Sequence, residues 1–129
     1  MKVLLATESY WPNRDGGSVI ERALALGLAD RGHEVRIVAP SVDGKARVQR
    51  DGRTDIHRTR SFRPPGKFGK VGARGSLFPG KLVRDLIDGW QPDVIHIHNP
   101  FSIGQAAMKF GRAAGVPILA TNHNMPENT

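Results

Sequence analysis

Residues 18–40 read Ser-Val-Ile-Glu-Arg-Ala-Leu-Ala-Leu-Gly-Leu-Ala-Asp-Arg-Gly-His-Glu-Val-Arg-Ile-Val-Ala-Pro, and this stretch decides the fold class. Ser18 suits an N-cap, and Glu21 stands three residues on, the spacing of a capping box. Ile20, Ala23, Leu24, Leu26, Leu28 and Ala29 then make a mostly apolar helix. Arg31 and Gly32 end it, with a cation at the negative end of the dipole and a glycine for the left-handed turn. Val35 to Ala39 follows as a strand stopped by Pro40. Upstream, residues 3–6 are Val-Leu-Leu-Ala, the continuous apolar run of a strand covered on both faces. Between that run and the helix, residues 8–17 hold Pro12, Asn13, Asp15, Gly16 and Gly17 and read as a loop. Strand, loop, helix and strand predict two parallel strands joined by a crossover.

The same grammar returns downstream. Residues 79–90 read as a helix with Leu82, Val83, Leu86 and Ile87 on one side, broken by Pro92. Residues 94–98, Val-Ile-His-Ile-His, read as a strand ended by Asn99 and Pro100. Ser102 suits the cap of a helix that runs to about Ala114 and ends at Gly115. A short strand follows around Pro117, over residues 116–120, and a weaker strand signal lies at 55–59. Alternating strands and helices predict an α/β fold, a Rossmann-like doubly wound parallel sheet.

Composition bounds the chemistry. The chain has 129 residues and no cysteine, so one domain over 1–129 is expected, and disulfides, thiolate zinc sites and a cysteine nucleophile are excluded. A cysteine-free chain suits a reducing cytoplasm. The apolar run at the N-terminus is too short for a signal peptide, and no stretch approaches the roughly 18 apolar residues of a spanning helix. The net charge of +7 is unevenly placed. Residues 45–84 hold twelve Lys and Arg against Asp51 and Asp55, a net of +10, so the rest of the chain carries −3. Residues 61–76 are rich in Gly and Pro and without period, which predicts a long exposed loop inside a basic insertion over 45–78. Phe62, Phe68, Leu77 and Phe78 lie among its cations. That mixture fits an anionic membrane surface or nucleic-acid phosphates, and charge alone does not choose between them.

Three places hold candidate chemistry. Gly16 and Gly17 lie where open parallel sheets bind ligands, and their backbone N–H groups can approach a phosphate at a helix N-terminus. Neither G-x-G-x-x-G nor G-x-x-x-x-G-K-[ST] occurs, which disfavours NAD and P-loop chemistry. His96 and His98 alternate on one face of a strand, but without cysteine or a carboxylate at ligand spacing no metal site is expected. His96 then packs against a covering layer and His98 lies at the cleft rim. Residues 121–128, Thr-Asn-His-Asn-Met-Pro-Glu-Asn, follow the last strand. There His123 can exchange a proton near neutral pH, and Asn and Glu side chains can fix sugar hydroxyls. A frayed tail is the equal alternative reading of that segment.

Taken in order, these passages resemble the N-terminal domain of GT4-type retaining glycosyltransferases, which have the GT-B fold. The likeness rests on Val3-Leu-Leu-Ala-Thr through Tyr10-Trp-Pro to Gly16-Gly17, on Leu24 through Arg31-Gly-His-Glu-Val35, on Pro92-Asp-Val-Ile-His-Ile-His98, and on residues 117–128 with their Thr-x-His. It covers nearly the whole chain except 44–76. The resemblance implies sugar transfer from a nucleotide-sugar with retention, with no metal and no cofactor besides that donor substrate. It implies that Gly16 and Gly17 reach the donor diphosphate and that His123, as the catalytic residue, lies beside the transferred sugar. Asn99, Asn122 and Glu127 become candidates for acceptor and sugar binding. The Pro-Glu-Asn ending and Asn99-Pro100-Phe101 look most like members acting on lipid acceptors such as diacylglycerol or phosphatidylinositol. With the basic segment, this implies peripheral binding at the inner face of the membrane through Arg60, Arg63, Lys67, Lys70 and Arg74, with nucleic acid the less favoured partner. It also implies that the domain is partial, that a C-terminal domain with most donor contacts is missing, and that this chain alone is a poor catalyst. The alternative is a stand-alone binding module for anionic lipid or nucleic acid on the same scaffold.

Overall fold

The computed structural model describes residues 1–13, 16–63, 74–98 and 101–121. Its strands are β1 (Lys2–Ala6), β2 (Glu34–Pro40), β3 (Arg47–Asp51), β4 (Thr54–Thr59), β5 (Ser61–Phe62), β6 (Gly75–Ser76), β7 (Val94–Ile97) and β8 (Ile118–Ala120). Six of them form one sheet in the order β3-β4-β2-β1-β7-β8, and β5 pairs with β6 in a separate ribbon. Within the large sheet every pairing is parallel except β3 with β4. The helices are α1 (Gly16–Asp30), α2 (Gly80–Trp90) and α3 (Ser102–Ala113).

Strand alternation distributes the core to both faces of the sheet. Val3, Leu5, Val35, Ile37 and Ile56 pack with Ala25 and Ala29 of α1. Leu4, Ala6, Val38, Ile95 and Ile97 pack with Val83, Leu86, Ile87 and Trp90 of α2 and with Ile103 and Ala107 of α3. This explains the continuous apolar run of β1: both of its faces are covered, and each buried Leu contributes about 1.5–3 kcal/mol. Gly32 and Gly115 have φ of 92° and 72°, the left-handed turns expected after α1 and α3. Gly111 lets α3 approach the sheet, because a Cβ there would stand 2.6 Å from Ile95 Cδ1.

The chain runs outward from β1 to β2 and β4, then returns to β7 and β8 on the other side of β1. Strand order therefore reverses between β1 and β7, and open α/β sheets take ligands at the carboxyl ends of strands beside such a reversal.

Three expectations are corrected. Helix α1 begins at Gly16, so Gly16 and Gly17 open the helix rather than precede it, and Ser18 is not its N-cap. Ser18 and Glu21 are buried toward the sheet, where Ser18 Oγ meets Ser9 Oγ at 2.8 Å and Glu21 meets His98. At α3, Phe101 holds the N-cap position and Ser102 is the first helical residue. The basic insertion over 45–78 is only partly loop. Residues 47–59 form an antiparallel hairpin on the sheet edge, with Gly52 at φ 61° in its turn, and Ser61–Phe62 pairs with Gly75–Ser76. The weaker strand signal at 55–59 is β4, weakened because Arg58 turns inward where an apolar residue would be expected, while β3 escapes periodicity because it is largely exposed.

Candidate functional site

The carboxyl ends of β1, β2, β4 and β7 carry polar side chains along one edge of the sheet. After β1, Thr7 Oγ1 donates to Ser9 O at 2.8 Å, and Asn13 Nδ2 donates to Ser9 Oγ at 3.0 Å. Ser9 Oγ also meets Ser18 Oγ, so the loop is fastened to the first turns of α1. From β4 comes Arg58, only 2 % exposed. Its Nη1 donates to Pro40 O at 3.1 Å, its Nη2 to Trp11 O, and its Nε to Gln49 Oε1 at 2.8 Å. Burial lowers the Arg58 pKa, with the nearby Tyr10 and Asp51 acting the other way. Asp51 is held by Arg22 at 2.8 Å, and Arg22 also stacks over the Trp11 ring at 4.8 Å.

Glu8 joins two elements that are far apart in sequence. Its Oε1 accepts the Ile103 N–H at 2.6 Å and the Ser102 hydroxyl at 3.3 Å, and its Oε2 accepts the Ser76 hydroxyl at 3.4 Å. The carboxylate therefore caps α3, where the helix dipole favours an anion. Burial nevertheless pushes its pKa up, opposed first by the Ile103 hydrogen bond. Glu8, Ser9, Asn13, Ser41, Arg63 and Arg74 line a cleft of about 210 Å³ at this edge. Arg74 Nε donates to Ser61 Oγ at 2.7 Å, and buried Ser61 in turn donates to Ser41 O at 2.6 Å. Gly44, at φ 90°, leaves space for the guanidinium, since a Cβ there would stand 3.3 Å from Arg74 Nη2.

On the other side of β1, His98 Nδ1 lies 3.1 Å from Glu21 Oε1, with both side chains buried. His96 and His98 share a face as expected, with ring centroids 4.1 Å apart. His96 Nε2 lies 2.8 Å from Thr121 Oγ1, so this pair connects α1 to the end of the last strand. His98 is buried rather than placed on an open rim.

A second groove, of about 570 Å³, runs between the hairpin and the start of α2. Val48, Leu77, Phe78 and Leu82 supply its apolar lining, and Arg47, Arg60 and Lys81, the last paired with Asp85 at 2.9 Å, supply its charge. Phe78 is 91 % exposed. His57 also lines it, with Nε2 buried and unbonded among the described residues. Burial, and then Arg36, holds its pKa below the ordinary value.

Of the residues singled out from sequence, Arg63 and Arg74 meet in the first cleft and Arg60 lies in the second. Gly16 and Gly17 begin α1, with nothing within 4 Å of a Cβ built on Gly16. His123, Asn99, Asn122, Glu127, Lys67 and Lys70 lie outside the described residues. Sequence reasoning missed Glu8, Arg58 and the Glu21–His98 pair. The strand signal at 55–59 and the Asp51-Gly52 turn both place Arg58 on a strand, but neither shows that its side chain turns inward.

Fold and cleft define an open α/β domain with a polar cleft at the carboxyl edge of its sheet, the edge at which such sheets generally take ligands. The family model described as Glycosyltransferase Family 4 matches residues 14–128, and the chain belongs to that family. It is 29 % identical over 123 residues to the GDP-mannose-dependent alpha-mannosyltransferase of Mycolicibacterium smegmatis, covering 93 % of this chain and 32 % of that protein. It is equally 29 % identical over 123 residues to the alpha-monoglucosyldiacylglycerol synthase of Acholeplasma laidlawii, covering 95 % of this chain and 30 % of the relative. The chain thus spans about a third of the length of these relatives. Among solved structures, the sucrose-phosphate synthase of Thermosynechococcus elongatus superposes with a TM-score of 0.67 at 15 % identity, over 96 % of this chain and 33 % of that one. The architecture, a mostly parallel sheet between helices, is that of the N-terminal domains of GT-B glycosyltransferases.

Proposed function

We propose that this chain is the acceptor-side domain of a retaining glycosyltransferase that moves a sugar from a nucleotide-sugar to a membrane lipid. The observation that carries the reading is the family match across residues 14–128. A second α/β domain would hold most of the donor. Gly16 and Gly17 would turn helix N–H groups toward the donor diphosphate, where the α1 dipole favours negative charge. His123 would act beside the transferred sugar, and Asn99, Asn122 and Glu127 would fix hydroxyls of sugar and acceptor. Leaving-group charge would be met by backbone donors and cations, an electrostatic role that needs no metal. The Acholeplasma laidlawii relative is a monoglucosyldiacylglycerol synthase by name, which supports a lipid acceptor.

The second groove supports a peripheral position at a membrane. Phe78 and Leu77 stand exposed in a groove that Arg60 also lines, and an apolar tip near a cation suits an anionic lipid surface. Arg60, Lys67 and Lys70 would make that contact, at the cytoplasmic face. Among the described residues no helix is long and apolar enough to cross a membrane.

The reading is tested by supplying the chain with the remaining part of the enzyme and measuring transfer from labelled GDP-mannose and UDP-glucose to lipid vesicles. Transfer that falls about 100-fold or more in His123→Ala is the expected result. Absence of transfer with both parts folded would overturn the reading. Unchanged turnover in His123→Ala would remove His123 from the site.

A further inference from the structure

We propose that Arg63 and Arg74 form a phosphate subsite in the first cleft, so that the acceptor carries a phosphate next to its polyol, as a free polyol phosphate or as a phospholipid headgroup. This rests on the reading of that edge as the acceptor side, and it separates a phosphorylated acceptor from neutral diacylglycerol.

Two guanidinium groups line one small cleft. Several cations of the neighbouring segments are matched by carboxylates, Arg22 with Asp51, Arg47 with Asp43, Arg50 with Asp55 and Lys81 with Asp85, while Lys45, Arg53 and Arg60 have no such partner among the described residues and do not line this cleft. Among the described residues neither Arg63 nor Arg74 has an ion pair. Glu8, the carboxylate that lines the cleft with them, is bonded to Ile103, Ser102 and Ser76. Two guanidiniums against one carboxylate give the concave space an excess of positive charge.

Arg74 is also aimed. A solvated surface arginine needs no tether, yet Arg74 Nε is fixed by buried Ser61, which is fixed by Ser41 O. That bond uses Nε and leaves the two Nη atoms, a fork whose geometry matches two phosphate oxygens. Ser41 and Asn13 on the cleft wall supply polar atoms suited to hydroxyls. A cleft of about 210 Å³ accommodates a phosphate with a short polyol. A neutral lipid would cover both guanidiniums without pairing them, an arrangement that costs free energy.

The 129-residue chain is titrated calorimetrically with inorganic phosphate, sn-glycerol 3-phosphate, glycerol and monomeric dihexanoyl phosphatidylglycerol. Saturable binding of glycerol 3-phosphate with Kd of about 1 mM or tighter is expected, with none of glycerol. Arg63→Gln and Arg74→Gln should each weaken it about tenfold, the loss of one charge-assisted bond. Arg74→Lys should fall between, keeping charge without the fork. Arg53→Gln, in the hairpin turn at the opposite end of β4, should change it less than twofold. Tighter binding of the phospholipid than of glycerol 3-phosphate assigns a lipid headgroup, and equal binding assigns a soluble polyol phosphate; either supports the subsite. If Arg74→Gln fails to fold, exposed Arg63→Gln carries the test. No phosphate-dependent binding, or equal losses in the Arg53 and Arg63 variants, overturns the subsite. Transfer to a neutral lipid in that event leaves the glycosyltransferase reading standing, so the two failures are distinguishable.

Discussion

Glu21 Oε1 lies 3.1 Å from His98 Nδ1 with both side chains buried, so the first half of α1 is fastened to the residue that follows β7. The bond crosses the point where strand order reverses, and it fixes the end of α1 that begins with Gly16 and Gly17. Removing one partner of a buried pair strands the other in a poorly solvated place. Glu21→Ala should therefore lower the unfolding free energy by about 3–5 kcal/mol. Glu21→Gln keeps an oxygen at hydrogen-bonding distance and should cost about 1–2 kcal/mol. Urea unfolding of the two variants checks this, and equal costs would show that the carboxylate charge adds nothing.

Arg58 holds the cleft floor in place. Its guanidinium bonds Pro40 O at the end of β2 and Trp11 O in the loop after β1, two segments that both reach the cleft. Arg58→Met fills the space but leaves those carbonyls to find other donors. A loss of about 3 kcal/mol is expected, two bonds from a charged donor at the lower end of their range. Arg58→Lys keeps the charge on a shorter reach and cannot bond three acceptors in one plane, so it should recover less than half of the loss. Full recovery by lysine would mean that charge, not the planar fork, holds the loop.

What the residues revealed in advance follows from how locally each feature is written. β1, α1, β2, α2, β7, α3 and β8 are each carried by a run or a period within about fifteen residues, and all were readable. The exposed strand β3 has no apolar face to betray it, and in β4 the buried position at 58 is occupied by arginine. Glu8 and Ile103 are 95 positions apart, so the capping of α3 is a tertiary fact that no local spacing encodes. Ser18 and Glu21 show the converse. Their spacing fits a capping box, but the helix starts earlier and both side chains are taken by the sheet face. Arg63 and Arg74 were readable as basic surface residues, and only the pairing of β5 with β6 shows that the chain folds back there.

Close approach of α3 to the sheet is tested by two glycines with opposite surroundings. At Gly111 a Cβ would stand 2.6 Å from Ile95 Cδ1 and 3.3 Å from Ile118 Cδ1, so Gly111→Ala forces these side chains or the helix to move. Overpacking costs of about 1–3 kcal/mol exceed the helix-propensity gain of about 1 kcal/mol, and a net loss is expected. Gly27 lies within α1 with nothing within 4 Å of a Cβ. Gly27→Ala should therefore stabilise by about 0.5–1 kcal/mol. Thermal melts of the two variants should move in opposite directions.

Acid behaviour separates two groups whose pKa values are shifted by burial in opposite directions. His57 is held below its ordinary 6.5 by desolvation and then by Arg36. As pH falls below 6.5 the unfolded chain takes the proton first, so stability contributed by neutral His57 is lost between 6.5 and the lower folded value. Glu8 is raised above its ordinary 4.5 by desolvation. Between the raised value and 4.5 the folded form takes the proton first, so Glu8 adds stability as pH falls through that window. The two effects oppose each other in mild acid. His57→Leu should leave stability at about pH 7 within about 1 kcal/mol of the parent and flatten its decline toward about pH 5. Glu8→Gln keeps an acceptor for the Ile103 N–H and should steepen that decline, because the proton uptake that offsets it is gone. Urea unfolding at the two pH values reads both slopes, and a steeper decline in His57→Leu would reverse the sign assigned to the imidazole.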